Sequence, residues 1–229
     1  MTIRTQIFGH ENIYSEFIYE EKNVDLQGWG SKHGIFEYLL QKIKPNLIIE
    51  LGTWKGASAI HMLNLSLKYK FELEILCIDT FTGSSEHWLN KINKKFFDSL
   101  KIKNGFPNIY NTFITNLHYH KLEKKITPLP TSTNTAFEIL KFLKIKSNFI
   151  YIDAGHSYQD VKSDILNYKE LSEENGLILF DDFGWRGVNK AVKEMSEFLN
   201  LELYHNKDEK GKAVLTNNKH LDLRSFFKN

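Results

Sequence analysis

The chain has 229 residues, 41% of them hydrophobic, with 17 Phe, 10 Tyr and 4 Trp, enough for one sizeable core and a single domain over 1–229. Its 30 basic and 28 acidic residues are interspersed and leave a net charge of +2, which gives no electrostatic case for a nucleic-acid partner. No apolar run reaches the roughly 18 residues of a membrane helix, and the first residues do not read as a signal peptide, so a soluble, cytoplasmic protein with no membrane partner is expected.

Residues 1–34 read as an N-terminal arm with a short helix. Phe8, Ile13, Phe17, Ile18 and Tyr19 lie among acids, and the turn-rich GWGSKHG segment carries Trp29. On the residues alone Trp29 is an anchor for the arm. Ile35 to Ile43 is a short amphipathic helix that stops before Lys44-Pro45. Leu47 to Ile49 is an apolar run with the character of a strand buried on both faces. It stops at Glu50 and is followed by Gly52 and Gly56, then by an apolar-periodic helix from Ala57 to Leu67. Strand, glycine turn and helix in this order bring backbone close to a ligand and present the free N–H groups of a helix start.

The spacing is neither G-x-G-x-x-G nor G-x-x-x-x-G-K-[ST]. E-x-G-x-x-x-G with an acid at the strand end resembles the first motif of class I S-adenosylmethionine-dependent methyltransferases. The other reading is any strand-to-helix turn of a doubly wound sheet. Leu73 to Ile78 is a second strand, and it contains the lone Cys77, which reads as core. It ends at Asp79, where a carboxylate can accept both hydroxyls of a ribose; the alternative is a helix N-cap. Residues 80–110 are too long for a simple connection and show no strand pattern. They hold Phe81, His87, Trp88, Phe96, Phe97 and Phe106 and read either as an acceptor-binding insertion or as helical decoration. The lysine groups Lys94–Lys95 and Lys121, Lys124, Lys125 read as solvated helix faces.

Tyr110 to Leu122 forms a helix, and Ile126 to Leu129 an edge strand, with Pro128 and Pro130 suited to an edge. A helical run from Thr135 to Leu143 follows Ser132. Asn148 to Ile152 is the fourth strand and ends in DAGHSYQDV; a helix spans Tyr158 to Leu171. Gly176 to Phe180 is the fifth strand and ends in Asp181-Asp182. The Val188 to Leu199 helix comes next, then a strand pair at Leu201 to His205 and Ala213 to Thr216. The tail from Leu221 to Asn229 reads as a surface segment.

Ligands of open α/β sheets bind beyond the carboxyl ends of the strands. Asp153 and the Asp181–Asp182 pair fall on that rim, on neighbouring strands about 4.8 Å apart. Three carboxylates this close call for a positive charge between them, and oxygen ligands suit Mg²⁺ or a similar divalent cation. Otherwise Asp153 and Asp181 are helix N-caps and Asp182 is exposed. His156 is a candidate general base, being the side chain that titrates near neutrality unaided; a supporting or capping role is the alternative.

Taken together, IELGTWKGASAIHM, CIDTFTGS, FIYIDAGHSYQDVKSDI and GLILFDDFGWRGVNKAV are similar to class I methyltransferases of the family 24 type. That group includes sugar O-methyltransferases of macrolide and aminocoumarin pathways and cephalosporin hydroxylase-like proteins. The resemblance implies a Rossmann-like α/β fold, with a seven-stranded, mostly parallel sheet whose last strand is antiparallel. It places Glu50, Gly52, Thr53, Gly56, Ser58, Asp79, Thr80, Ser132 and Asp153 against S-adenosyl-L-methionine, and Asp153, Asp181 and Asp182 on Mg²⁺. For Trp29 it implies, instead of an anchor, a segment that folds over the cofactor. Asp153 and His156 become the catalytic pair. Some sugar-modifying relatives carry an aspartate where this chain has Gly155, which puts more weight on His156. The implied activity is metal-assisted O-methylation of a small hydroxylated acceptor, a sugar or glycosylated metabolite, with a homodimer expected by analogy. The competing readings are a nicotinamide-dependent sugar oxidoreductase or epimerase, disfavoured by the missing G-x-G-x-x-G, and a catalytically silent S-adenosylmethionine-binding protein, which has no need of the acidic trio. A metal-dependent hydrolase would leave Glu50, Gly52 and Asp79 unexplained.

Overall fold

The central strand is β1 (Leu47–Leu51), in which every residue after Leu47 is buried. Its side chains alternate between two helix-covered faces, as the pleat requires. Ile48 points into one apolar cluster with Ile75, Cys77, Phe149, Tyr151 and Leu177. Ile49 and Leu51 point into the other with Leu76, Ile78, Ile150, Ile152 and Ile178. This computed structural model describes residues 1–89, 94–209 and 211–227.

In chain order the elements are α1 (Ile3–Phe8), α2 (Gly34–Ile43), β1, α3 (Ala57–Lys68), β2 (Glu74–Asp79), α4 (Ser85–Trp88), α5 (Lys94–Ser99), α6 (Ile109–Tyr119), β3 (Ile126–Pro130), α7 (Thr133–Phe142), β4 (Ser147–Ile152), α8 (Tyr158–Glu170), β5 (Ser172–Phe180), α9 (Arg186–Phe198), β6 (Glu202–His205), β7 (Ala213–Thr216) and α10 (Leu223–Phe226). The sheet order is β3-β2-β1-β4-β5-β7-β6. The first five strands run parallel, and β7 is antiparallel to both β5 and β6. The expected α/β fold is therefore present. Strand order reverses between β1 and β4, which opens the ligand crevice at their carboxyl ends.

β3 is an edge strand, as its prolines predicted. β5 starts earlier than its apolar run, because half-buried Ser172 and the exposed Glu173–Asn175 stretch extend the strand before Leu177 enters the core. The expectation of a surface tail is corrected. Leu221, Leu223 and Phe227 are buried in the α2–α3 cluster: Leu223 and Phe227, four apart at the start and the cap of α10, face the same way, and Leu221 enters the cluster just ahead of the helix. Among its described residues the insertion carries α4 and α5 and the start of α6; residues 90–93 within it, and 228–229 of the tail, lie outside the described residues.

Candidate active site

The glycine turn after β1 is fixed from below by Glu50, which is fully buried. Its carboxylate accepts hydrogen bonds from Thr53 Oγ1 at 2.8 Å and from Ser58 Oγ, and lies 3.3 Å from Cys77 Sγ. Burial pushes the Glu50 carboxyl up. Glu50, Thr53 and Ser58, all expected at the cofactor, are thus tied to one another and set the shape of the turn. Gly52 has φ of +78°, and a Cβ there would meet the Asp153 carbonyl oxygen at 2.0 Å. No side chain fits between these two strand ends. At Gly56, φ +83°, a Cβ would strike the Phe113 ring at 2.9 Å.

Asp79 closes the turn from β2. Its Oδ2 accepts from Trp54 N at 2.8 Å and its Oδ1 from Phe81 N at 2.7 Å. It caps no helix; it braces the residue that follows Thr53, in backbone that is left-handed at Trp54 (φ +53°). Thr80 is exposed beside Thr82. Ser132 N-caps α7 through Thr135 N at 3.2 Å.

The N-terminal arm reaches the same turn. Lys55 Nζ, buried, donates to Asp25 Oδ2 and Gln27 Oε1 at 2.7 Å each. Lys101 of the insertion meets the same Asp25 oxygen at 2.7 Å. Burial alone would raise the Asp25 carboxyl, but hydrogen bonds from Lys101 and Lys55 outweigh it and hold it at about 2. The buried Asn116 of α6 joins the clamp, its Nδ2 donating to the carbonyls of Asp25 and Lys55 at 2.8 Å each. Trp29 lies over the turn in a four-ring group, with ring centroids 6.2 Å from Trp54, 6.2 Å from His87 and 5.7 Å from Phe96. Trp54 and His87 are stacked at 4.4 Å.

Across the crevice, β4 and β5 carry the acidic rim. Asp153 follows β4, and Asp181 and Asp182 follow β5. The hydroxyl of buried Tyr151 is 3.0 Å from both Asp153 Oδ2 and Asp181 Oδ2. Lys212, one residue before β7 and 1% exposed, places Nζ 2.5 Å from Asp181 Oδ2 and 2.8 Å from the Tyr151 hydroxyl. Its ammonium also lies 5.0 Å from the Phe36 ring centre and 4.8 Å from that of Tyr151, within cation–π range. Asp182 is in left-handed backbone, φ +53°, and its Oδ2 is 3.0 Å from His156 Nε2. That hydrogen bond, together with the charges of Asp182 and Glu86, raises the His156 pKa against the opposing effect of burial. Burial and the nearby Asp181 push the Asp153 carboxyl well up.

Of the four rim residues read from the sequence, three come within coordinating reach of one another. One ligand atom each from Asp153, His156 and Asp182 lie within 4.8 Å. This donor set of two carboxylates and an imidazole fits a divalent cation. Asp181 is held by Lys212, so the cluster contains His156 where a third carboxylate was expected. His156 has a second neighbour, the Glu86 carboxylate of α4, 4.0 Å from Nδ1, and its ring lies 4.6 Å from Trp185.

Lys212, Tyr151 and Glu86 did not emerge from sequence patterns. Tyr151 reads as one more apolar strand residue, and Lys212 as a polar residue ahead of a strand. The available signal for Lys212 was that it abuts AVLT directly, so that its stem had to enter the sheet. No helix of the described residues is long and apolar enough to cross a membrane.

Solved structures share this fold. The chain matches an O-methyltransferase from Bacillus cereus in complex with SAH at 12% identity and a TM-score of 0.57, over 85% of this chain and 84% of that one. It matches the calicheamicin methyltransferase CalS11 at 17% identity and 0.57, over 80% and 77%, and the O-methyltransferase NovP at 14% and 0.57, over 81% and 79%. Among proteins of curated function, none matches. The family model described as Methyltransferase domain, family 24, matches residues 49–183, from the middle of β1 to just past the Asp181–Asp182 pair. The chain belongs to that methyltransferase family.

Proposed function

We propose that this protein is an S-adenosylmethionine-dependent O-methyltransferase whose acceptor is a sugar or a glycosylated metabolite. The observation that carries this reading is the Asp182–His156 pair at the mouth of the β1–β4 crevice, across from the glycine turn. An alcohol is a poor nucleophile near neutral pH, and a positioned base accelerates its attack. Asp182 accepts from His156 Nε2, so Nε2 carries the proton and Nδ1 is left as the acceptor. Nδ1 takes the hydroxyl proton as the new O–CH₃ bond forms and the S–CH₃ bond breaks, leaving S-adenosylhomocysteine. Asp182 stabilises the imidazolium that results, the same logic as an orienting carboxylate behind a histidine base. S-adenosylmethionine supplies the methyl group when bound, and a divalent cation such as Mg²⁺ held by the carboxylates of Asp153 and Asp182 would lower the acceptor hydroxyl's pKa, leaving His156 Nδ1 free as the base.

The remaining cofactor residues act by shape. Gly52 and Gly56 bring backbone close, and Glu50, Thr53, Ser58 and Asp79 hold the turn rigid, so the gain is largely in orientation of two bound reactants. Ser132 and Thr80 border the same rim and are assigned to its adenosine side. Likeness to CalS11, described as a TDP-rhamnose 3′-O-methyltransferase, favours the sugar. Cytoplasmic location and a homodimer are part of the same proposal. The test is calorimetric titration with S-adenosylmethionine, first with Mg²⁺ and then with excess chelator. Micromolar binding in both assigns the cofactor and confines the metal to the acceptor step. No binding in either removes the methyltransferase reading for this chain.

A further inference from the structure

The insertion helix α4 brings two consecutive polar residues, Glu86 and His87, over the rim. Glu86 lies 4.0 Å from His156 Nδ1, too far for a hydrogen bond between them. Both Glu86 Oε2 and His156 Nδ1 are buried with no partner among the described residues. Unpaired buried polar groups are costly and mark places where a ligand atom completes the bonding. Both are acceptors here, since His156 donates from Nε2 to Asp182 and a carboxylate has no proton to give. One hydroxyl has one proton and cannot satisfy both. Two further buried donors lack a partner among the described residues, Trp54 Nε1 and His87 Nε2, on the stacked ring pair that His87, the residue after Glu86, forms with Trp54. The Nδ1 of His87 is taken by Ser84, whose backbone N is 3.3 Å away and whose Oγ is 2.8 Å away. Trp29 and Trp185, each about half exposed, stand beside this group, next to Trp54 and to His156 respectively.

From this juxtaposition we infer that Glu86 is a specificity residue for a vicinal diol: one hydroxyl gives its proton to His156 Nδ1, and the adjacent hydroxyl donates to the Glu86 carboxylate, with the ring of the acceptor against indole faces. The inference rests on the methyl-transfer reading and narrows its acceptor. A pyranose and a catechol share this chemistry, and the indole surfaces accept either ring.

The test uses tryptophan fluorescence of the full chain, since three of its four tryptophans (Trp29, Trp54 and Trp185) surround the group. cis-1,2-Cyclohexanediol, which presents a vicinal diol on a saturated six-membered ring as a pyranose does, and cyclohexanol form one pair of probes, and catechol and phenol the other. Each is titrated with and without S-adenosylhomocysteine. In the unaltered protein, at least one diol is expected to bind about tenfold more tightly than its one-hydroxyl analogue, the effect of one hydrogen bond to a charged group. Which pair shows the preference identifies the ring. In Glu86→Gln, the diol should fall to the affinity of its analogue while S-adenosylhomocysteine binding is unchanged, which also reports that the variant is folded. Equal binding within both pairs, preference retained in Glu86→Gln, or no quenching by any probe would overturn the inference. Absent S-adenosylhomocysteine binding with an intact, Glu86-dependent diol preference would instead count against the methyltransferase reading alone.

Discussion

Lys212 Nζ and Asp181 Oδ2 are 2.5 Å apart, in a site where the lysine is 1% exposed. This pair gives the acidic rim a cation of its own and divides the two consecutive aspartates between different partners, Asp181 with Lys212 and Asp182 with His156. Removing one partner of a buried ion pair strands the other charge. Lys212→Met is therefore expected to lower stability by about 3–5 kcal/mol, read as a shift of the urea midpoint. The double change Lys212→Met with Asp181→Asn should recover much of that loss. Additive losses would show that the two groups do not act as a pair.

His156→Ala should leave S-adenosylmethionine affinity within error and reduce kcat by about 10²–10⁴-fold, the range for loss of a general base. Asp182→Asn keeps the ring in place but removes the charge that favours its protonation, and should show a smaller loss. Calorimetry beside steady-state rates separates the two effects. Turnover unchanged in His156→Ala would remove the histidine from the base role.

Gly52→Ala should cost about 3 kcal/mol, because it combines a left-handed φ with a Cβ aimed at the Asp153 carbonyl oxygen 2.0 Å away. Neither strand end can yield without breaking the parallel pairing of Leu51 with Ile152. Thermal unfolding and cofactor titration should both report the damage. A variant of ordinary stability that binds the cofactor would contradict the packing described for the turn.

Asp25→Ala frees the arm and leaves Lys55 buried without its carboxylate. The expected result is a loss of about 3 kcal/mol and rapid proteolysis ahead of α2, with weaker cofactor binding because Lys55 belongs to the glycine turn. In the unaltered protein the lowered Asp25 pKa contributes stability above its ordinary 3.8 that is lost as pH falls toward about 2. Equal protease resistance of variant and parent would rule the clamp out.

Asp164, on α8, is 2% exposed and has an unpartnered Oδ1. Burial lifts its carboxyl from 3.8 to about 7. Between those values the folded chain holds a proton that the unfolded chain has released. This contribution to stability is therefore fully present below 3.8 and declines as pH rises to about 7. Asp164→Asn should abolish that decline and be more stable than the parent at pH 8 by ~4 kcal/mol. Parallel stability curves for the two proteins between pH 4 and 8 would refute it.

The elements that position the site were legible because their signals are local. The apolar run Leu47–Ile49, stopped at Glu50 and followed by Gly52, has the pattern of a strand entering a tight turn, and the acids at Asp79, Asp153 and Asp181 mark strand ends by interrupting hydrophobic stretches. What remained hidden was pairwise. Nothing along the chain couples Lys212 to Asp181, because they meet only through the antiparallel return of β7 beside β5. Glu86 faces His156 only because a one-turn helix of the insertion folds back over β4. The tail misled for a related reason. Leu221, Leu223 and Phe227 are too few to show a period, and their burial depends on the groove that α2 leaves open.

Pro128 and Pro130 sit at the unpaired border of the sheet, in register with Cys77 and Asp79 of β2. Neither residue has an amide hydrogen to offer a visiting strand. A second polypeptide laid along β3 would find carbonyl groups without the alternating donors that a ladder needs, so this border does not template sheet growth. Nucleated assembly of the native molecule through strand addition is thereby confined to the opposite border, at β6.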